Sequence, residues 1–107
     1  MNNYRNQQVT RGSPHIDDLR ENETPSPSPD GSIKTFTTKY RIAKRPTVET
    51  SDDAGSTWTG KTVGELGKDS DSDYEFFWSY NSKTVSQNDA DSAIPDGDLI
   101  RISYYPL

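Results

Sequence analysis

From residue 32 onward, apolar and polar positions alternate with a period of two, and that period means strands. In residues 34–42, Phe36, Thr38, Tyr40 and Ile42 share one face while Thr35, Thr37, Lys39 and Arg41 share the other. This is a half-buried strand, entered through the Asp30-Gly31 turn. Ala43-Lys44-Arg45-Pro46 breaks it, because proline brings no N–H to a ladder. Residues 47–50 resume as a short strand before the polar loop at 51–55, and residues 57–59 and 61–63 are weaker strand candidates punctuated by Gly60, Gly64 and Gly67. The strongest signal is residues 74–80. Tyr74, Phe76, Trp78 and Tyr80 fall on one face with Phe77 opposite, which predicts a central strand covered on both sides. Asn81-Ser82 turns it back into residues 83–87 as a hairpin. A last strand at 98–105 places Ile100, Ile102 and Tyr104 together. Short strands at intervals of about ten residues, with Gly and Pro between them and no helical periodicity, predict an all-β fold. The expected architecture is a small antiparallel β-sandwich or barrel over residues 31–107.

Before residue 31 the alternation is missing. Residues 1–30 hold only Met1, Tyr4, Val9, Ile16 and Leu19 as large apolar side chains, and they finish in Thr24-Pro25-Ser26-Pro27-Ser28-Pro29. Alternating Pro and Ser favours polyproline II, an extended spacer without internal hydrogen bonds. Residues 1–30 therefore read as an extended arm and Pro/Ser linker that orders only against a partner. Tyr4, Val9, Ile16 and Leu19 are its apolar anchors, and Arg5 and Arg11 its charged contacts. Ser13 as a cap and Pro14 at a first helical position allow a short helix around residues 13–20. Two turns alone are marginal.

Composition narrows the field. The chain has 107 residues, of which 28% are hydrophobic, and its mean hydropathy is -1.03. That allows one small domain whose core must rest on its aromatic residues. Charge is unevenly placed: residues 1–48 carry eight Lys and Arg against five acids, whereas residues 49–107 carry four against twelve. A basic leading half and an acidic trailing half suit complementary contacts between identical neighbours, and they suit solubility too. The absence of cysteine excludes a disulfide frame, a thiolate nucleophile and a thiolate zinc site. His15 is the only histidine, so no two-histidine metal motif exists. No apolar run reaches the length of a membrane span, and no apolar stretch follows Met1, so neither a span nor a signal peptide is expected. The acceptor pattern Asn22-Glu23-Thr24 then has no route to glycosylation.

Candidate chemistry is sparse. Asp69-Ser70-Asp71-Ser72-Asp73 alternates acids like a calcium loop, but a calcium loop wants Gly and Glu where Tyr74 and Tyr80 stand. It reads as a solvated acidic loop, and no metal or cofactor is expected. Glu49, Glu65 and Glu75 are the glutamates available for glycoside hydrolysis, and their spacing singles out no pair. A Ser/His/Asp site would have to draw His15 from the arm. No enzyme is expected. Trp58, with Trp78 and the tyrosines, offers a flat surface for stacking a sugar, and Trp58 is the candidate glycan platform. In a chain this poor in aliphatics the same rings are needed for the core. Nucleic acid is not an expected partner, because the aromatic half is acidic and repels phosphate.

Five pieces carry a resemblance: Asp30-Gly31-Ser32-Ile33-Lys34-Thr35-Phe36, Tyr40-Arg41-Ile42-Ala43-Lys44-Arg45-Pro46-Thr47-Val48, Lys61-Thr62-Val63-Gly64-Glu65-Leu66-Gly67-Lys68-Asp69, Phe77-Trp78-Ser79-Tyr80-Asn81-Ser82-Lys83-Thr84-Val85-Ser86-Gln87 and Gly97-Asp98-Leu99-Ile100-Arg101-Ile102-Ser103-Tyr104. In order and spacing they resemble a β-strand-rich module of tail-tip and baseplate structural proteins of tailed bacteriophages and related tailed viruses. The opening residues 4–12 are similar to the strand that precedes that module in longer tail proteins. The resemblance implies a non-enzymatic virion structural protein, a tail or baseplate component tied to its neighbours by the N-terminal arm. Its partners would be other virion structural proteins and copies of itself, and its location the virion. A capsid decoration or head-to-tail joining protein uses the same parts. A carbohydrate-binding module that meets a host surface glycan through Trp58 is the alternative from another class.

Overall fold

The computed structural model describes residues 18–107. They form eight strands: β1 (Arg20–Glu23), β2 (Thr35–Ile42), β3 (Thr47–Ser51), β4 (Thr59–Lys61), β5 (Val63–Glu65), β6 (Phe76–Trp78), β7 (Ser82–Gln87) and β8 (Leu99–Tyr104). Two four-stranded sheets result, in the orders β1-β8-β3-β4 and β2-β7-β6-β5. The fold is therefore all-β, and the alternating faces read from the sequence meet between the sheets. Phe36 and Ile42 of β2, Val48 of β3, Phe76 and Trp78 of β6, Val85 of β7, and Ile100, Ile102 and Tyr104 of β8 are all buried in one core. At about 25 cal/mol per Å² of apolar surface, the favourable burial is shared between four rings and seven aliphatic side chains, so the core does not rest on the aromatic residues alone.

The sheets are joined along both sides. On one side the chain leaves the first sheet as β4 and enters the second as β5 with Thr62 alone between them. On the other, residues 105–107 run on from β8 along the end of β2, with Ala43 N donating to Tyr105 O at 2.8 Å and Leu107 N to Arg41 O at 2.8 Å. The architecture thus lies between an open sandwich and a barrel.

Three features depart from the sequence reading. The first is the reach of the domain. Arg20 pairs with Tyr104 and Glu23 with Ile102, Ser26 and Thr37 exchange backbone bonds of 3.0 and 2.7 Å, and Pro25 and Pro29 are buried. Residues 20–29 are therefore part of the sandwich and not a linker, so the boundary drawn at residue 30 moves to the start of β1. A Pro/Ser run makes no internal hydrogen bonds, which leaves the N–H and C=O of Ser26 available to the edge of β2. Of the helix expected around residues 13–20, Arg20 is in a strand and residues 13–17 lie outside the described residues.

The second is direction. β5 and β6 are parallel, with Val63 opposite Phe76 and Glu65 opposite Trp78, so the fold is not purely antiparallel. A parallel neighbour requires the chain to return along the sheet, and residues 66–75 make that return. The acidic stretch 69–73 lies in this crossover.

The third is the aromatic strand. β6 spans three residues, all buried, while Tyr80 is 60% exposed beyond its end. Asn81 at φ 63° turns the chain, and Asn88 Nδ2 donates to the carbonyls of Asp71 and Tyr74, holding Tyr74 in the crossover. Phe77 points away from the main core yet is only 5% exposed. The crossover covers it, with the Tyr74 ring edge-on at 6.3 Å.

Gly64 permits this cover. A Cβ there would lie 2.7 Å from Cγ and Cδ2 of Tyr74 and 3.1 Å from Cβ of Asp69. Gly64→Ala should thus displace Tyr74 and uncover Phe77, at a cost of about 1–3 kcal/mol in urea unfolding, as overpacking does. A variant as stable as the parent would show that the crossover is not seated on β5.

Candidate functional site

The functional expectation rests on the N-terminal segment, so the place where that segment enters the fold is the site to examine. Its centre is Glu23, at the end of β1, whose side chain is 9% exposed. Oε1 accepts from Arg20 Nε at 2.7 Å and from the Tyr104 hydroxyl at 2.8 Å, and Oε2 accepts from the backbone N–H of Lys39 at 2.7 Å. The Tyr104 oxygen in turn accepts from Tyr40 N at 3.1 Å. One carboxylate therefore ties together β1, β8 and β2, strands of both sheets. The geometry follows from local sequence: Arg20 and Glu23 are three residues apart across an irregularity in the β1–β8 register, and this brings the guanidinium to the carboxylate. The Arg20 guanidinium also lies 4.8 Å from the Tyr40 ring centroid, where a cation is attracted to the ring face.

Burial raises the Tyr104 hydroxyl above the usual phenol value of 10.0, and the hydrogen bond to the Glu23 carboxylate adds to it. The Arg20 guanidinium is likewise raised, first by its hydrogen bond to Glu23.

Leu19, one of the expected arm contacts, stands just before β1 and is 43% exposed. Tyr4, Arg5, Val9, Arg11 and Ile16 lie outside the described residues, as does His15. Trp58, the candidate glycan platform, is half-buried, and the Arg101 guanidinium sits 4.1 Å from its ring centroid. Arg101 Nε donates to Glu49 Oε1 at 2.7 Å. One face of the indole is therefore covered by a guanidinium that Glu49 holds in place. Trp78 belongs to the core.

The structure does not bring the three glutamates together as a pair for hydrolysis. Glu49 is bound to Arg101, Glu65 lies 3.4 Å from Lys68 Nζ, and Glu75 Oε1 accepts from Thr62 N at 3.0 Å. Asp69 Oδ2 accepts from Glu65 N at 2.7 Å. Among the described residues, no group of three or more His, Cys, Asp or Glu is placed to hold a metal ion. Asp53 organises the loop before Trp58, accepting from the Thr57 hydroxyl, from Thr57 N at 2.9 Å and from Ser51 Oγ at 2.7 Å. These bonds, the Thr57 hydroxyl first, hold its carboxyl down at about 2.

Sequence reasoning missed Glu23 and Arg20, which look like ordinary polar residues of a linker. One signal pointed there: Tyr104 falls on a buried face, and a buried phenol needs a partner.

Comparison with protein-family models, curated proteins and solved structures gives no match.

Tyr104→Phe removes a donor to Glu23 and an acceptor from Tyr40 N while keeping the ring. The expected loss is about 1–3 kcal/mol in chemical denaturation, the cost of stranding buried polar groups. An unchanged midpoint would mean that water replaces the hydroxyl. For Asp53 the ionised form is favoured in the fold, so its contribution is present above the ordinary carboxyl value of 3.8 and is lost as pH falls through about 2. Carboxyl NMR should find Asp53 titrating at about 2, well below the ordinary carboxyl value of 3.8. The Thr57 amide should shift with it, and both effects should be gone in Asp53→Asn.

Proposed function

We propose that this chain is a non-enzymatic structural protein of a tailed virus, a tail or baseplate component whose N-terminal segment ties it to neighbouring subunits. The observation that carries the reading is the anchorage of that segment. Its root, β1, is bonded through Glu23 to strands of both sheets, so a pull on residues 1–17 is transmitted into the rigid body and not into a loose linker. A tether works only if its root holds, and this root cannot leave without taking the Glu23 carboxylate away from the Tyr104 hydroxyl and the Lys39 N–H that donate to it. The resemblance in order and spacing between residues 30 and 104 supports the same assignment. The glutamates weighed for acid–base chemistry are engaged instead, Glu49 with Arg101, Glu65 with Lys68 and Glu75 with Thr62, which suits a scaffold. Recognition of a host glycan through Trp58 has less support, since Arg101 lies over the ring that would stack on the sugar.

The structure also sets the right deletion. Removing residues 2–17 should leave a protein that melts like the parent, because β1 and its network remain. The same deletion should abolish incorporation into particles in a co-sedimentation assay. Raising salt should weaken recruitment of the intact chain only in part, since buried contacts are screened less than exposed ones. Normal incorporation of the deleted form would overturn the tether.

A further inference from the structure

A cavity of about 250 Å³ opens at one end of the sandwich, between β3 and β4 of one sheet, β6 and β7 of the other, and the 88–98 loop. Phe76 and Ile94 give it an apolar floor. Its polar wall has many acceptors and few donors to spare. The Lys61 ammonium lies 3.7 Å from Glu75 Oε2, which compensates that cation within the wall. Gln87 Nε2 donates to Ser92 O at 2.8 Å, while Gln87 Oε1 is buried without a partner. Asp91 and Asp98 use their backbone N–H groups on the carbonyls of Asn88 and Pro95.

Asp98 is the informative residue. The half-buried acids Glu23, Glu49, Glu65, Asp69 and Glu75 each accept a hydrogen bond or face a cation at short range. Asp98 is half-buried too, and among the described residues no donor reaches its carboxylate. Burying a charge without a partner is costly, and Asp98 lines the cavity together with Asp91 and Gln87. A ligand that satisfies them must carry several N–H groups and a positive charge, with an aliphatic stem for the floor. A guanidinium on its methylene stem has five donors and no acceptor.

We infer that this cavity receives an arginine side chain, Arg5 or Arg11, from the N-terminal segment of a second copy of the chain. The inference rests on the tether reading and names its receptor. Residues 1–17 contain those two arginines, no lysine and a single acid, Asp17, while residues 49–107, which build the whole cavity wall, carry twelve acids against four bases. Charge complementarity thus runs from the leading segment of one copy to the trailing half of another.

The test is a titration of unlabelled peptide 1–17 into isotope-labelled full-length protein. The Gln87 side-chain amide and the backbone amides of Ser92 and Asp98 are followed by NMR. Saturable shifts confined to these groups are expected. Affinity should fall by about tenfold or more when the peptide carries Arg5→Gln and Arg11→Gln, or when the protein carries Asp98→Asn, because a charge-assisted contact is lost. Asp96→Asn, exposed and outside the cavity, should change nothing. Shifts elsewhere, or equal binding of the arginine-free peptide, would overturn the inference. So would cavity signals that are independent of protein concentration and released by Arg5→Gln with Arg11→Gln in the chain itself, since that would place the arginine of the same copy there. A silent cavity combined with loss of incorporation on deleting residues 2–17 leaves the tether standing and removes only its receptor. A filled cavity combined with normal incorporation does the reverse.

Discussion

The buried carboxylate of Glu23 is the constraint around which the rest of the molecule is arranged. A charge nine-tenths removed from water persists in a fold only if donors replace the water. Here they come from a guanidinium on its own strand, a phenol on β8 and a backbone N–H on β2. Satisfying the carboxylate therefore fixes the register of β1 on β8 and sets β2 beside them. It also explains why Tyr104, and not another large apolar residue, fills that position in the core: only a ring with a hydroxyl serves the core and the carboxylate together.

The core can be small because so much polar structure is satisfied around it. Just 28% of the chain is hydrophobic, yet the described residues enclose a continuous set of apolar side chains between two sheets. Around that set, side-chain oxygens do work usually left to secondary structure. Asp30 accepts from the backbone N–H groups of Ser32 and Ile33, Asp53 from Thr57, and Asp69 from Glu65. Short strands joined by loops expose many backbone groups, and such groups must be paired or hydrated. Three of the twelve acids in the trailing half, Asp53, Asp69 and Glu75, pair such groups with their carboxylates.

Strands with strict alternation were legible, and so was their burial. The faces of residues 34–42 and 98–105 follow the sequence pattern, because period two maps directly onto the two sides of a sheet. Residues 74–80 misled: their alternation is real, but Asn88 holds Tyr74 in the crossover, a contact too distant for a window to show, and Tyr80 already belongs to the turn at Asn81. The Pro/Ser run also misled, since proline content predicts the absence of internal bonds and says nothing of bonds to a neighbouring edge. Parallel pairing of β5 with β6 was out of reach, because direction depends on the crossover and not on alternation. As for the site, Leu19 was read as an arm contact and Trp58 as a glycan platform; the first stands exposed before β1 and the second lies under Arg101, whereas Glu23 was hidden by its polar neighbours.

The passage from one sheet to the other through Thr62 bears on what that side of the molecule can join. It leaves the outer strands there, β4 and β5, three residues long each. An edge that short offers a foreign strand too few N–H and C=O groups to add in register. On this side of the sandwich strand addition is thereby disfavoured, and a contact there falls to side chains.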